Sequence, residues 1–162
     1  MTNPSPARLD RDHLLAVVRD APLVSIDLVV TNARGEVLLG LRNNAPARGF
    51  WFVPGGRILK GETLPAAFAR IARAELGLVL DYADAALLGV YEHHYDDNFA
   101  DAPGIGTHYV VLAHRVRLPE GDQISADDQH GVLSWWSTGR MGSEPTVHEN
   151  SRAYLTALAE VD

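Results

Sequence analysis

The sequence predicts a single α/β domain, an α/β/α sandwich with a central mixed sheet. Three observations predict it. Strand-like apolar runs stand on both sides of one amphipathic helix pattern over 64–76. A second helix pattern closes the chain over 150–161, so helices are available for both faces of a sheet. No repeat, low-complexity tract or linker interrupts the 162 residues, a length that suits one domain (1–162) with its own core.

The elements follow in order. Residues 1–9 are polar and proline-containing and read as a disordered tail. Asp10 can cap a short helix with apolar Leu14, Leu15, Val17 and Val18. Leu23 to Val30 reads as a buried strand with Asp27 inside it. Asn32-Ala33-Arg34-Gly35 then turns the chain into a second strand, Glu36 to Leu41. After a polar loop comes the aromatic strand Phe50 to Val53, which Pro54-Gly55-Gly56 is expected to break. Leu64 to Leu76 is the central helix, with Pro65 tolerated in its first turn and Gly77 as its stop. Strand patterns return at 86–95, 107–118 and 132–136. The last helix carries Ala153, Leu155, Leu158 and Val161 as its apolar positions.

Composition excludes several classes. With no cysteine there is neither a disulfide framework nor a thiolate metal site, so any metal must sit on oxygen or imidazole donors. A formal charge of −7 argues against a nucleic-acid surface. No apolar run approaches a membrane span, and the N-terminus lacks a signal-peptide core, so a cytoplasmic protein without membrane partners is expected. Lys60 is the only lysine beside thirteen arginines. Coding bias explains most of that; a phosphate clamp built from a few arginines is the narrower reading.

The central helix holds the most informative residue. Leu64, Phe68 and Ile71 define an apolar stripe by their spacing, and the next position on it is Glu75. A carboxylate there needs a cation, a metal or a route to water. It either bends into solvent or pairs with an arginine, or it ligates a metal. Upstream, Pro54-Gly55-Gly56-Arg57 marks a sharp turn or a close backbone approach.

Gly56, Glu62, Arg70, Glu75, Gly77 and Leu78 stand at the spacing G-x5-E-x7-R-E-U-x-E-E-x-G-U, where U is aliphatic. That stretch resembles the Nudix box, and it implies the Nudix fold. Two positions depart from it: Ile71 and Ala74 stand where the family has glutamates. The same departures characterise the GDP-mannose mannosyl hydrolases. The chain is similar to that subfamily over nearly all of residues 15–155, including Gly49 to Arg57, Tyr95 to Phe99, Thr107 to Leu112 and Asn150 to Tyr154.

The resemblance implies Mg²⁺-dependent hydrolysis of GDP-mannose or GDP-glucose by attack of water at the anomeric carbon, giving GDP and free sugar with inversion. It implies Mg²⁺ (with Mn²⁺ as substitute) on the carboxylate of Glu75, the side chain of Gln129 and the backbone carbonyl of Gly55. Arg42, Arg57 and Arg70 match contacts to the phosphates and leaving group, although each read alone is a surface arginine. His130 matches the general base, a role suited to an imidazole. His93 matches a sugar or phosphate contact, Tyr109 a phosphate donor, and Asp27 a sugar contact that can equally be a structural hydrogen bond. The adjacent pair His93-His94 gives no ground for a zinc site. A homodimer is also implied. Two alternatives stay open: a nucleotide-sugar pyrophosphatase giving GMP and sugar 1-phosphate, and a non-catalytic domain that binds a nucleotide sugar.

Overall fold

Strand β1 (Leu23–Thr31) organises the molecule. Successive side chains point to opposite faces of a sheet. Here Ile26, Leu28 and Val30 go to one face and Val29 to the other, all of them fully buried. A run that is apolar on both sides belongs at the centre of a sheet covered on both faces. The structure, a computed structural model, describes residues 8–119, 124 and 132–161.

β1 runs parallel to β6 (Thr107–Arg117), in register from Leu23↔Tyr109 to Thr31↔Arg117. Its other edge is divided. β2 (Val37–Leu41) pairs with it at Thr31, and β4 (Gly55–Arg57) pairs with it over Ser25 to Asp27. β3 (Trp51–Phe52) and β7 (Leu133–Trp136) flank β2, and β5 (Ala86–Tyr95) lies outside β6. One parallel pairing among antiparallel ones makes the sheet mixed, as expected.

Helices cover both faces. α1 (Arg11–Asp20) begins at the Asp10 cap, whose side chain accepts from the His13 amide. α2 (Leu64–Leu76) begins at Thr63, whose hydroxyl accepts from the Ala66 amide, and it ends at Gly77 in the left-handed region at φ 67°. α2 packs Ala67, Phe68, Ile71, Ala72 and Leu76 against Ile26, Leu28 and Val30. Each fully buried large side chain of that set contributes roughly 1.5–3 kcal/mol of transfer free energy. The opposite face carries α3 (Thr138–Ser143), α4 (Glu149–Arg152) and α5 (Tyr154–Glu160). Met141, Tyr154 and Leu158 pack there on Val29, Val37, Leu39 and Ala113.

Four expectations are corrected. Gly55-Gly56 does not simply break a strand; it is itself a strand against β1. A Cβ on Gly55 would strike Asp27 Oδ1 and come within 2.8 Å of the Ile26 carbonyl, and one on Gly56 would meet Ile71 at 3.1 Å. Glycine is therefore what lets β4 lie flat on β1 and under α2. Leu64 does not join the buried stripe but is 39% exposed, because Ala67 and Ala72, too small for hydropathy to single out, form the contact line. Leu76 takes the last buried place on that line, and Glu75 turns beside it. Finally, the closing helix is two pieces. Ser151 accepts a hydrogen bond from the Val53 amide at 3.0 Å, tying α4 to β3, and the chain restarts as α5 with Tyr154 and Leu158 buried. Val161 is half exposed.

Candidate active site in a two-part cleft

Where β2 and β4 diverge from a common edge of β1, a cleft opens with two compartments. Arg42, Phe52, Val53 and Gly55 border both. The first, about 230 Å³, is completed by Gly40, Asn43, Asn44, Glu75 and Leu133. The second is smaller, about 80 Å³, and takes in Asp27, Arg57, His93, Tyr95 and Tyr109.

The sequence-predicted residues divide between them. Glu75 and Gly55 share the first compartment, so a carboxylate and a glycine that offers only backbone groups open on one space. Glu75 is half-buried there. Hard oxygen donors of this kind fit Mg²⁺, which keeps several waters and takes few protein ligands. Gln129 and His130 lie outside the described residues. The second compartment gathers Asp27, His93, Tyr109, Arg42 and Arg57.

Burial governs the chemistry of that second compartment. Asp27 is buried in β1, and its Oδ2 accepts a hydrogen bond of 2.6 Å from the Tyr154 hydroxyl of α5. Burial pushes its carboxyl up to about 7, against the opposing effects of the Tyr154 bond and the Arg42 charge. His93 lies 3.4 Å from the same hydroxyl through Nε2, and burial, aided by His148 and His94, pushes its imidazole down to about 4. The hydroxyls nearby are held protonated. Burial pushes Tyr95 up to about 12 and raises Tyr109, on which Arg42 and Arg57 pull in the other direction. Around neutral pH the compartment therefore offers an uncharged imidazole, phenol donors and a carboxyl close to its titration point.

The three arginines have different situations. Arg42 donates from Nε to the Pro46 carbonyl at 2.8 Å, and its guanidinium stands 5.7 Å from the Phe52 ring centre. That leaves it fixed at the boundary of the two compartments. Arg57, carried by β4, lines the second. Arg70 lines neither. Its guanidinium forks onto Glu62 at 2.6 and 2.8 Å and also donates to the Arg57 carbonyl at 2.9 Å. The Arg70 charge holds the Glu62 carboxyl below the usual carboxylate range, and Glu62 also accepts from the Leu59 amide. This knot fixes the segment that presents Arg57.

Several neighbours escape a reading by residue type. Tyr95 and Phe52 line the walls, His148 stacks 4.6 Å from the Phe52 ring centre, and Tyr154 meets Asp27. A physical signal for Tyr154 was Asp27, an acid in an apolar strand that requires a partner. A tyrosine four residues before Leu158 sits on the buried side of the last helix.

Comparison with known proteins agrees with this architecture. The family model described as NUDIX domain matches residues 21–158. Low-salt glycan biosynthesis protein Agl8 of Haloferax volcanii is 43% identical over 152 residues, which cover 93% of this chain and 91% of that protein. Among solved structures, the MutT protein of Methanosarcina mazei Go1 superposes with a TM-score of 0.68 at 18% identity, covering 88% of this chain and 96% of its own. The NUDIX domain of Shewanella oneidensis NrtR, solved with ADP ribose, gives 0.64 at 21% identity over 94% and 99%. These two likenesses speak for the fold. Among the described residues no helix is long and apolar enough to cross a membrane.

Proposed function

The chain belongs to the NUDIX domain family of hydrolases, and from that premise we propose that it hydrolyses a nucleotide sugar, GDP-mannose or GDP-glucose, at the anomeric carbon. Water attacks that carbon from the face opposite the leaving group, the carbon–oxygen bond breaks, and GDP and the inverted free sugar result.

The observation that carries this reading is the unequal fate of the two glutamates of the box. Glu62 is closed into a fork with Arg70 and the Leu59 amide, whereas Glu75 opens on the cleft. Attack on phosphorus draws on carboxylates gathered round more than one metal ion. One box carboxylate lining the cleft suits the lighter task of steadying a departing diphosphate. The name of the Haloferax volcanii relative, a glycan biosynthesis protein, fits a sugar-bearing substrate.

Gly55, Glu75 and Gln129 would hold Mg²⁺, or Mn²⁺ in its place. Bound there, the ion supplies Lewis acidity to the leaving phosphate oxygen. Arg42 and Arg57 add fixed positive charge from the boundary and the second compartment, where exclusion of water strengthens it. Arg70 positions Arg57 through its main chain. Asp27, His93 and Tyr109 offer hydrogen-bond partners to the sugar and the adjoining phosphate. His130 takes a proton from the attacking water onto a ring nitrogen. The same reading has the protein act as a cytoplasmic homodimer.

The test is the identity of the phosphorus products. Incubation with GDP-mannose and Mg²⁺, followed by ³¹P NMR, is expected to give GDP alone. GMP with mannose 1-phosphate would sink the proposal, since it requires cleavage at phosphorus.

A further inference from the structure

Strand β5 sends its consecutive histidines to opposite sides of the sheet. His93 goes into the cleft; Glu92 and His94, one residue to either side, go to the other face. On that face His94 stands directly across from His108 of β6. The two imidazoles stack with centres 4.2 Å apart and planes 24° from parallel. Glu92 lies two residues along the same side of β5. One ligand atom from each of the three lies within 4.8 Å of the others. The cleft makes no use of any of them.

We propose that Glu92, His94 and His108 form a transition-metal site of zinc type on the outer face of β5 and β6, separate from the cleft. Three observations support it. The donor set is two imidazoles and one carboxylate, which suits Zn²⁺, Ni²⁺ or Cu²⁺ better than Mg²⁺. The backbone places it: directly opposed residues on neighbouring strands have Cβ atoms about 4.5–5.5 Å apart, and a long side chain two residues away on the same face still reaches. Glu92 and His94 are exposed and can swing inward to metal distance while the strands stay fixed. Third, among the described residues His108 Nε2 is buried with no hydrogen-bond partner, a state that carries a desolvation penalty a ligand can relieve.

The surroundings permit a cation. His94 and His108 line a surface groove with Arg19 and Asp20, and the Arg19 guanidinium is forked onto Asp20 at 2.7 Å through Nε and Nη2. Glu92 supplies the negative charge. This differs from a metal held by the neighbours His93 and His94, which the sheet sends apart; the partner of His94 comes from the next strand. Three protein ligands leave a position for water, as in open zinc sites.

The experiment is calorimetric titration of the whole protein with Zn²⁺ in millimolar Mg²⁺ and without substrate, so its outcome is independent of the proposed reaction. One equivalent of Zn²⁺ is expected to bind. His94→Gln, at an exposed position, should weaken binding by at least about 10-fold, because losing a ligand costs no less than losing a ligand's outer partner. His108→Gln should do the same, and Glu75→Gln should leave Zn²⁺ binding as it is. Co²⁺ bound in place of Zn²⁺ should show visible absorption that His94→Gln abolishes. No Zn²⁺ binding by the unaltered protein, or binding that survives His94→Gln and falls with Glu75→Gln, overturns the assignment.

Discussion

The two compartments of the cleft share a wall and differ in almost everything else. The first is the larger, and its carboxylate, Glu75, is half-buried beside Asn43 and Asn44. The second is narrow, and its acid and imidazole, Asp27 and His93, are buried deeply enough for burial to dominate both titrations. The first offers a half-buried carboxylate, the second a buried carboxyl, imidazole and phenols beside Arg57. Gly55 borders both, and a Cβ there would strike Asp27 Oδ1.

The largest effect should come from His130→Gln, which tests whether catalysis needs a base other than the groups that line these two compartments. Turnover is expected to fall by about 10²–10⁴-fold with KM little changed. Steady-state kinetics reads this directly, and retained turnover would move the base to another group, with Asp27 the first to examine.

Glu75→Gln sharpens the division. The Mg²⁺ concentration for half-activation should rise by about 10–100-fold, whereas Asp27→Asn should leave the Mg²⁺ titration in place. Equal shifts in the two variants would mean that the compartments act as one.

The third comparison lies within the narrow compartment. Asp27 has its folded pKa raised from 3.8 to about 7, so its contribution to stability is present at low pH and is lost as pH rises through 7. His93 has its folded pKa lowered from 6.5 to about 4, so its contribution is present above 6.5 and is lost as pH falls through 4. In the intact protein the two slopes oppose each other between about pH 4 and 6.5. Relative to it, Asp27→Asn should make stability rise more steeply with pH across that window. His93→Gln should make it fall more steeply. Each difference is at most about 1.4 kcal/mol per pH unit. Urea unfolding at a series of pH values measures both, and parallel curves for all three proteins would refute the burial of either group.

Smallest is Tyr154→Phe. Losing a hydrogen bond to a buried group should cost about 1–3 kcal/mol. Because that bond holds the Asp27 carboxyl down, its removal should carry the carboxyl above 7. Carboxyl NMR chemical shifts against pH would detect the displacement, and an unmoved titration would exclude the contact.

Legibility in the sequence followed the strength of local signals. α2 was readable to both ends because its signals are chemical: apolar spacing within, and at Gly77 a residue suited to the left-handed region. β1 and β5 were readable from runs rich in apolar and β-branched residues. β4 was not, since two glycines carry no strand propensity and gain their extended form only from β1 beside them. α3 was hidden for a related reason, its two glycines outweighing the Ser137 cap. The candidate site divides similarly. Types and spacings singled out Glu75 and Gly55, and the resemblance supplied Arg42, Arg57, His93 and Tyr109. Tyr154 became visible only when α5 was laid across β1, since its partner Asp27 is 127 positions away. The Arg70–Glu62 knot likewise depends on how the loop after β4 folds back on α2.

The register of β1 with β6 also governs when this molecule becomes a binding protein. Those partners are more than eighty residues apart in the chain, and the hydroxyl that meets Asp27 arrives later still, on α5. Closing so long a loop costs entropy that only the finished pairing returns. A nascent chain can form α2 early, but Asp27 in the narrow compartment waits for its hydroxyl partner until α5 has left the ribosome. Copies interrupted before α5 therefore leave the Asp27 carboxyl without the Tyr154 hydroxyl, whatever they retain of the box.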